Sequence, residues 1–343
     1  MNHRTEHHRT PERLRTRTQR EKSVMINPHD SATTRREEVA DALRAWALDE
    51  ELKARVLSDP GLAAAARRVA SRYIGGDTIG EAVAVARAGV ASGHLASIEY
   101  AGESVRDRDL ARSETDVFLE LAQVIADEGL PSSVSLDLSH LGAVVDAGLG
   151  LAHAREIAAA TASSGQEMMI SAEGSDRTDL VLGLYKTLAN EYDHVGITLQ
   201  ARLHRTPRDL ERVLRTDGRV RLVKGAFLES EEIALRRGTE ELTARYLDLG
   251  RVALESGHAV TFATHDDALV EALQREHGDR LRQPGVEFEM LLGLGTELLD
   301  GLRADGYRTR QYVVFGGEWW LYVLNRIAEH PERVFTALTD LRS

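Results

Sequence analysis

The chain has 343 residues, 42% of them hydrophobic and 29% charged, so it can form one large domain or two smaller ones. Its formal net charge of −12 disfavours general binding to nucleic acid or to anionic membranes. The absence of cysteine excludes disulfides, thiolate metal sites, iron–sulfur clusters and a cysteine nucleophile, and it fits a cytoplasmic protein.

The predicted elements begin after an N-terminal extension. The first 24 residues are rich in Arg, His and Thr, so we expect residues 1–30 to be disordered, with Met25 as an alternative start. Residues 31–94 carry apolar side chains at helical spacing, as in EEVADALRAWALDEELKARVL, and predict a helical arm. The sequence contains no signal-peptide core and no apolar run of transmembrane length.

Residues 95–343 alternate short strand-like runs with longer amphipathic runs. Strands are predicted at 95–100, 133–138, 168–173, 196–201, 219–224, 259–264, 286–291 and 310–315. Helices are predicted at 106–129, 146–165, 178–192, 207–215, 230–256, 266–277, 296–305 and 317–329. This alternation predicts an α/β fold, a TIM-like (β/α)₈ barrel that follows the helical arm.

A doubly wound open sheet is the alternative architecture. Such sheets usually carry a glycine-rich nucleotide fingerprint after the first strand, and this chain has neither G-x-G-x-x-G nor a P-loop. No linker rich in Gly, Pro or Ser divides residues 95–343. Both observations favour a single closed barrel.

Barrel enzymes place their chemistry at the C-terminal ends of the strands. Those ends are polar and varied here, and they carry Glu99, Asp137, Ser171, Glu173, Gln200, Arg202, Arg221, Lys224, Thr264, His265, Glu287, Glu289 and Tyr312. A lyase or aldolase that uses Lys224 for a Schiff base is one chemistry that they permit. No cluster of His and carboxylate residues has metal-ligand spacing, so no metal site is expected.

A second polar group follows the last strand, in WWLYVLNRIAEHP (319–331). On a helix, Tyr322, Asn325, Arg326 and Glu329 share one face. Taken alone, this pattern is also typical of a solvated face with one Arg–Glu pair.

Several stretches resemble sequence motifs of the bacterial monofunctional proline dehydrogenases, and they occur in the same order and at similar spacing. They are VRLVKGAF (220–227), FATHDD (262–267), EFEMLLG (287–293) and QYVVFGGEWWLYVLNRIAEHP (311–331). The resemblance covers roughly residues 60–335. It implies a distorted (β/α)₈ barrel whose last helix folds over the mouth as a lid, with FAD bound non-covalently and without a Rossmann motif. Trp319 and Trp320 would then either pack the lid onto the rim or contact a ligand.

The resemblance also implies which residues contact the flavin. Arg221 matches the cation beside flavin N5, where a positive charge stabilises the anionic reduced ring. Gln200 matches the amide at the pyrimidine edge of the ring. Lys224 matches the residue that holds the cofactor end of its strand, and Val223 and Ala226 flank it as further cofactor contacts.

The remaining matches lie in the outer part of the site. Thr264 and His265 match the pair at the ribityl and phosphate region of FAD. Arg326 and Glu329 match the second arginine and the glutamate of the lid helix, the glutamate also as a cofactor contact. The tyrosines that line the substrate pocket correspond to Tyr312 and Tyr322.

The chain departs from the family pattern at the substrate end. The family clamps the proline carboxylate with a lysine and two adjacent arginines, but here Asp137 replaces the lysine, Asn325 replaces the first arginine, and Arg326 alone remains. Since a charge-assisted hydrogen bond contributes about 1.5–3 kcal/mol, two lost cations should weaken carboxylate binding more than about a hundredfold. A rearranged site, with Asp137 paired to Arg326, is the alternative. Further departures are Ser171, Phe227 and Leu292, which replace an aspartate and two tyrosines.

The resemblance therefore implies an FAD-dependent oxidoreductase that moves hydride from a carbon next to nitrogen to flavin N5 and gives an imine. The expected substrate is proline or a proline-like cyclic or secondary amine, without a carboxylate at the usual place or with a positive charge facing Asp137. A catalytically silent relative that binds flavin or a metabolite as a sensor or partner protein is the alternative. Quinone or oxygen is the expected electron acceptor, and both peripheral membrane association and the oligomeric state stay open.

Overall fold

The computed structural model describes residues 28–102 and 105–340. Its centre is a closed barrel of eight parallel strands in which each strand pairs with the next and β8 pairs with β1. The strands are β1 (Leu95–Tyr100), β2 (Ser132–Leu136), β3 (Met168–Ile170), β4 (Val195–Gln200), β5 (Val220–Val223), β6 (Val260–Ala263), β7 (Val286–Leu291) and β8 (Thr309–Phe315). The predicted (β/α)₈ barrel is confirmed, and the open-sheet alternative is wrong.

Helices precede, surround and follow the strands. They are α1 (Pro28–Ala47), α2 (Glu50–Ser58), α3 (Pro60–Ala70), α4 (Ile79–Ala91), α5 (Arg108–Asp127), α6 (Ala147–Ser163), α7 (Thr178–Ala189), α8 (Thr206–Val213), α9 (Glu240–Glu255), α10 (Asp267–His277), α11 (Thr296–Ala304), α12 (Trp319–Glu329) and α13 (Arg333–Asp340). None of the helices in the described part of the chain is long and apolar enough to cross a membrane. The predicted disordered extension lies outside the described residues, except where α1 begins.

One predicted helix is too long at its start. Helical spacing in residues 230–256 predicted a single helix, but α9 begins only at Glu240, after Thr239 caps it. The preceding residues form a loop, because Arg202 donates to the carbonyl oxygen of Leu235 (3.1 and 3.0 Å) and Gly238 adopts φ +72°. Backbone carbonyls that bind a guanidinium in this way are not free to continue a helical ladder.

The strands place their apolar and polar residues on opposite faces. Side chains such as Leu136, Leu222 and Phe288 are fully buried between the strands and the surrounding helices. The alternate positions face the inside of the barrel and are polar, as with Arg221 and Glu289 on non-adjacent strands, which pair across the interior (2.8 Å). The barrel is therefore filled by hydrogen-bonded and charged side chains rather than by an apolar core.

The lower interior of the barrel holds a buried ion network. The Glu287 carboxylate is fully buried, accepts from Arg310 Nε (2.6 Å) and Thr261 Oγ1 (2.8 Å), and lies 3.5 Å from Arg219 Nη1. Burial alone would raise the pKa of Glu287, but the charges of Arg310 and Arg219 outweigh it and hold the pKa at about 2. Glu287 is therefore a structural anion near the start of β7, although it was grouped with the strand ends in the sequence.

A second hydrophobic cluster joins the N-terminal arm to helix α12. It contains Leu43, Tyr73 and Ile74 of the arm region together with Trp319, Trp320 and other residues of α12. The Trp320 indole donates to the carbonyl oxygen of Trp46 (3.0 Å), and Lys53 pairs with Glu318 (2.6 Å). These contacts fix the last helix against the arm, and the tryptophan pair packs within the protein.

Glu287→Gln should destabilise the fold by about 3–5 kcal/mol, because it leaves Arg310 and Arg219 buried without their counter-charge. Urea denaturation at pH 7 measures this. The matched control is Glu271→Gln on the exposed face of α10, which should stay within about 0.5 kcal/mol of the parent. Equal stabilities of the two variants would contradict the structural role of Glu287.

Candidate functional site

The middle of the barrel mouth is organised by a buried arginine. Arg221 is only 3% exposed and pairs with Glu289, which is equally buried (Nε to Oε1 2.8 Å). Its Nη2 donates to the hydroxyl oxygens of Ser97 (3.1 Å) and Ser135 (3.0 Å), and its guanidinium lies 5.0 Å from the centre of the Tyr312 ring. The cation is therefore held rigidly by residues from β1, β2, β7 and β8.

Tyr312 links the Arg221 guanidinium to a carboxyl group nearer the rim, Glu99. Its hydroxyl donates to Glu99 Oε2, the same oxygen that accepts from the Ser171 hydroxyl (2.7 Å). Burial, followed by the charge of Asp137, raises the pKa of Glu99 to about 8, although the Ser171 hydrogen bond and Arg221 oppose the shift.

Asp137 stands at the rim next to a second carboxyl group. Burial and the charge of Glu173 raise its pKa well above the ordinary range, while Arg177 opposes the shift. Glu173 itself accepts from the backbone N–H of Ser139 (3.0 Å) and pairs with Arg177 (3.0 Å). Within residues 28–102 and 105–340, Asp137 forms no ion pair of its own, so no cation offsets the charge that it carries when ionised.

Gln200 lies at the end of β4, and only one of its two side-chain amide atoms has a hydrogen-bond partner in the protein. Its Nε2 donates to the carbonyl oxygen of Glu173 (2.9 Å), whereas its Oε1 is buried without a protein partner. Gly225 follows β5 with φ +111°, and a Cβ there would lie 2.8 Å from Arg202 and 3.1 Å from Gln200 Oε1. A glycine is therefore required beside this free acceptor.

Lys224 is engaged by a carboxylate. Its ammonium forms an ion pair with Asp266, the residue that caps α10. The amine is therefore already engaged by a protein carboxylate, whereas a Schiff-base lysine must reach the carbonyl carbon of its substrate. On the same stretch, Val223 is half-buried, and Ala226 is exposed with its carbonyl oxygen bonded by Arg237.

His265 follows β6 and lies within the electrostatic influence of cations from α12 and α13. Its Nε2 accepts from the backbone N–H of Leu291 (2.9 Å), which places the ring proton on Nδ1. Burial and the cations Arg326 and Arg333 lower the pKa of His265 to about 3. The imidazole is therefore neutral, and its Nε2 is already hydrogen-bonded to the backbone. Its neighbour Thr264 is buried and accepts from the Asp266 N–H (3.2 Å).

Helix α12 presents its polar stripe to the mouth. Arg326 pairs with Glu329 (2.9 Å) rather than with Asp137, and its guanidinium lies 5.5 Å from the centre of the Tyr322 ring. The Tyr322 hydroxyl and Arg326 Nε are buried without a protein partner, and burial raises the pKa of Tyr322. Asn325 is half-buried beside them. The paired Asp137–Arg326 arrangement is absent among the described residues.

Four of the predicted site residues thus have a buried polar atom without a hydrogen-bond partner in the protein. Arg221 Nε is one of them, but it lies 2.8 Å from the carboxylate of Glu289, which leaves Gln200, Tyr322 and Arg326 as the residues with an unengaged atom. Buried polar groups are nearly always hydrogen-bonded, so these atoms indicate a ligand that bonds to them. Their chemistry, an amide oxygen, a phenol and a guanidinium, fits a polar ring system and its substrate.

Glu99 and Glu289 are members of the mouth that the sequence motifs do not single out. Both were recognised as strand-end residues, but neither was assigned to the site. The missed signal is the period of two along the strands, since Ser97 and Glu99, Glu287 and Glu289 occupy alternate positions that share the inner face.

Comparison with known proteins identifies the family. A sequence profile described as "Proline dehydrogenase" matches residues 82–318. The chain is 30% identical over 278 residues to "Proline dehydrogenase 2" of Bacillus subtilis strain 168, covering 80% of this chain and 91% of that protein. It is 33% identical over 267 residues to "Proline dehydrogenase 1" of the same strain, covering 76% and 87%. A Deinococcus radiodurans "Proline dehydrogenase" is 30% identical over 271 residues, covering 77% and 86%.

Solved structures share the fold. A proline utilization A (PutA) chain of Bdellovibrio bacteriovorus, inactivated by N-propargylglycine, superposes with a TM-score of 0.72 at 21% identity over 87% of this chain. A Bradyrhizobium japonicum PutA mutant, D779W, gives 0.63 at 22% identity over 76% of this chain. The chain spans 37% and 30% of those longer proteins. By its profile match and its identity to curated relatives, this chain belongs to the proline dehydrogenase family.

Proposed function

We propose that this protein is an FAD-dependent oxidoreductase that oxidises the C–N bond of a proline-like cyclic or secondary amine to an imine. The observation that carries the proposal is the set of buried, unpartnered polar atoms on Gln200, Tyr322 and Arg326, in a mouth that also holds the buried cation Arg221. Family membership supports the reaction class. FAD, when bound, supplies the acceptor for the hydride that leaves carbon.

The mouth has the groups that such a cofactor requires. The free Oε1 of Gln200 can accept from the N–H of the flavin pyrimidine ring, and Gly225 leaves room for the ring to approach. Arg221 supplies a fixed positive charge, which stabilises negative charge on the reduced ring without reorganisation. Lys224, Val223, Ala226, Thr264, His265 and Glu329 are proposed as further cofactor contacts.

The residues around the substrate need not include a strong base. Hydride leaves the carbon next to nitrogen only when the amine is neutral, and solvent can take the amine proton. His265 accepts from a backbone N–H and stays neutral, and Lys224 is paired with Asp266, so neither is free to abstract a proton. Tyr312, Tyr322 and Arg326 would orient the amine, and Arg326 with Glu329 would cover it.

The substrate end favours an amine without a free α-carboxylate. Asp137 has no cation at ion-pair distance among the described residues, and Arg326 is engaged by Glu329. A carboxylate placed there would meet a partly buried carboxyl group in a pocket of low dielectric, which raises the cost of binding it. Amides, esters and small cyclic amines avoid this repulsion. Quinone or oxygen is proposed to reoxidise the flavin.

The first test is flavin binding and reduction. Purified protein should be yellow with FAD at one per chain, and anaerobic addition of proline amide, proline esters or small cyclic amines should bleach it, with L-proline bleaching it only at much higher concentration. Gln200→Ala should raise the Kd for FAD about tenfold, because one hydrogen bond to a buried ring contributes about 1.4 kcal/mol. The matched control Gln123→Ala, on exposed α5, should not change it.

Colourless protein that takes up no FAD would contradict the proposal. A yellow protein that no amine bleaches would instead indicate the catalytically silent relative.

The second test restores the missing cations. The double variant Asp137→Lys, Asn325→Arg should lower the KM for L-proline at least about a hundredfold, since two charge-assisted hydrogen bonds to the carboxylate are regained. Asp137→Asn alone removes the repulsion without adding a cation and should give an intermediate KM. The substrate assignment is wrong if the parent protein already oxidises L-proline with the KM of the double variant.

A further inference from the structure

We propose that Glu99 fixes the Tyr312 hydroxyl as a hydrogen-bond acceptor toward the substrate, so that the pocket selects amines with a second N–H or O–H donor and rejects a carboxylate at that position. This inference rests on the proposed function and names the feature of the substrate that the site recognises. Glu99 is a positioning residue in this account, because it acts on the substrate through Tyr312.

The number of available protons limits what each hydroxyl group of the pocket can offer a ligand. A tyrosine hydroxyl has a single proton to donate, and so has a serine hydroxyl. Tyr312 donates its proton to Glu99 Oε2, and Ser171 donates its proton to the same oxygen (2.7 Å). While Glu99 is ionised, neither hydroxyl therefore has a proton left for a ligand, and both can offer only lone pairs.

Burial and ring packing keep the Tyr312 hydroxyl hydrogen-bonded to Glu99. Tyr312 is 8% exposed and Ser171 is 9% exposed, and the Tyr312 ring is stacked 5.0 Å from the Arg221 guanidinium. Arg221 is in turn held by Glu289. The phenol consequently cannot turn its proton toward a substrate without breaking a hydrogen bond to a partly buried carboxyl group.

The remaining wall of the pocket also presents hydrogen-bond acceptors. Asp137 lies near enough to Glu99 to raise its pKa, and an ionised carboxylate accepts hydrogen bonds only. Above about pH 8, where these two carboxyl groups are ionised, a substrate carboxylate facing this wall would meet lone pairs and negative charge. An ammonium group, a primary amide N–H or a hydroxyl would be bonded by Tyr312, Ser171 or Asp137.

The protonation state of Glu99 depends on every charged or titratable group that faces it. Those groups come from several elements: Asp137 and His140 after β2, Arg221 on β5, Tyr312 on β8 and Tyr322 on α12. Burial and Asp137 raise the pKa of Glu99 to about 8. The rejection of carboxylates should therefore be strongest above pH 8 and weaker at pH 6.5.

The decisive experiment uses FAD-loaded protein and compares anaerobic flavin reduction by L-proline and by proline amide, at pH 6.5 and pH 9. At pH 9 the parent should have a KM for L-proline at least about tenfold above that for proline amide. Glu99→Gln should reduce this ratio about tenfold, because a carboxamide can donate to Tyr312 and release the phenol proton. Tyr312→Phe should also reduce the ratio, since it removes the acceptor. The exposed control Glu120→Gln on α5 should keep the parent ratio.

A second readout needs no cofactor and no activity. Glu99 keeps its proton up to about pH 8 in the folded protein but loses it near pH 4.3 when unfolded, so the folded state binds more protons and stability falls as pH rises between these values. Urea denaturation of the flavin-free protein at several pH values measures how many more protons the folded state binds than the unfolded state. Glu99→Gln should lower this number by roughly one, and Glu120→Gln should not change it.

These outcomes separate the two proposals. Protein that no amine reduces would refute the proposed function, while the denaturation experiment would still report on Glu99. Unchanged substrate ratios in both Glu99→Gln and Tyr312→Phe would overturn the positioning proposal, as would an unchanged pH dependence of stability in Glu99→Gln. If Glu99→Gln does not fold, Tyr312→Phe decides alone, because it removes the phenol acceptor and leaves the buried carboxyl group in place.

Discussion

The ion pair between Arg221 and Glu289 is the constraint on which the barrel mouth depends. A guanidinium buried to this degree is tolerated only when its charge is compensated, and here Glu289 supplies the counter-charge while Ser97 and Ser135 accept from its Nη2. Burial raises the pKa of Glu289, and Arg221 opposes that shift. Removing either partner would leave the other charge uncompensated inside the barrel. The same guanidinium fixes the plane of Tyr312, so the position of the substrate wall follows from this pair.

Charge is distributed unevenly above and below this pair. Below it, Glu287 is neutralised by Arg310 and Arg219, and the network is structural. Above it, Glu99 and Asp137 have raised pKa values, because both are buried near further carboxyl groups. The result is a rigid cationic centre with carboxyl groups at its rim, the arrangement from which we propose a flavin on one side and a donor-bearing amine on the other. Helix α12, held by the N-terminal arm, closes this arrangement with Arg326 and Glu329.

Much of the fold could be predicted from local pattern. Short runs of β-branched and apolar residues alternate with amphipathic helices along the chain, and that order without a nucleotide fingerprint favours a (β/α)₈ barrel over an open sheet. The helix predicted at residue 230 failed for a tertiary reason. The sequence there has helical spacing, but Arg202, which is distant in sequence, binds the Leu235 carbonyl and holds the segment as a loop. Local propensity carries no information about such a partner.

The site was only partly predictable for the same reason. Strand ends and sequence motifs predicted Arg221, Gln200, Asp137 and the residues of the last predicted helix as members of the site. Glu99 gains its importance from Ser171 and Tyr312, which lie 72 and 213 residues further along the chain. The closing of the barrel brings β1 beside β8, and no local pattern shows which side chains meet across that seam.

The most direct test of the account is a crystal structure of the FAD-loaded protein, with the flavin reduced, soaked in L-proline. The account predicts that the isoalloxazine lies against Gln200 and Arg221 and that no proline carboxylate is ordered on Arg326. A flavin bound elsewhere, or a proline carboxylate seated on Arg326 with Asp137 turned away, would contradict it.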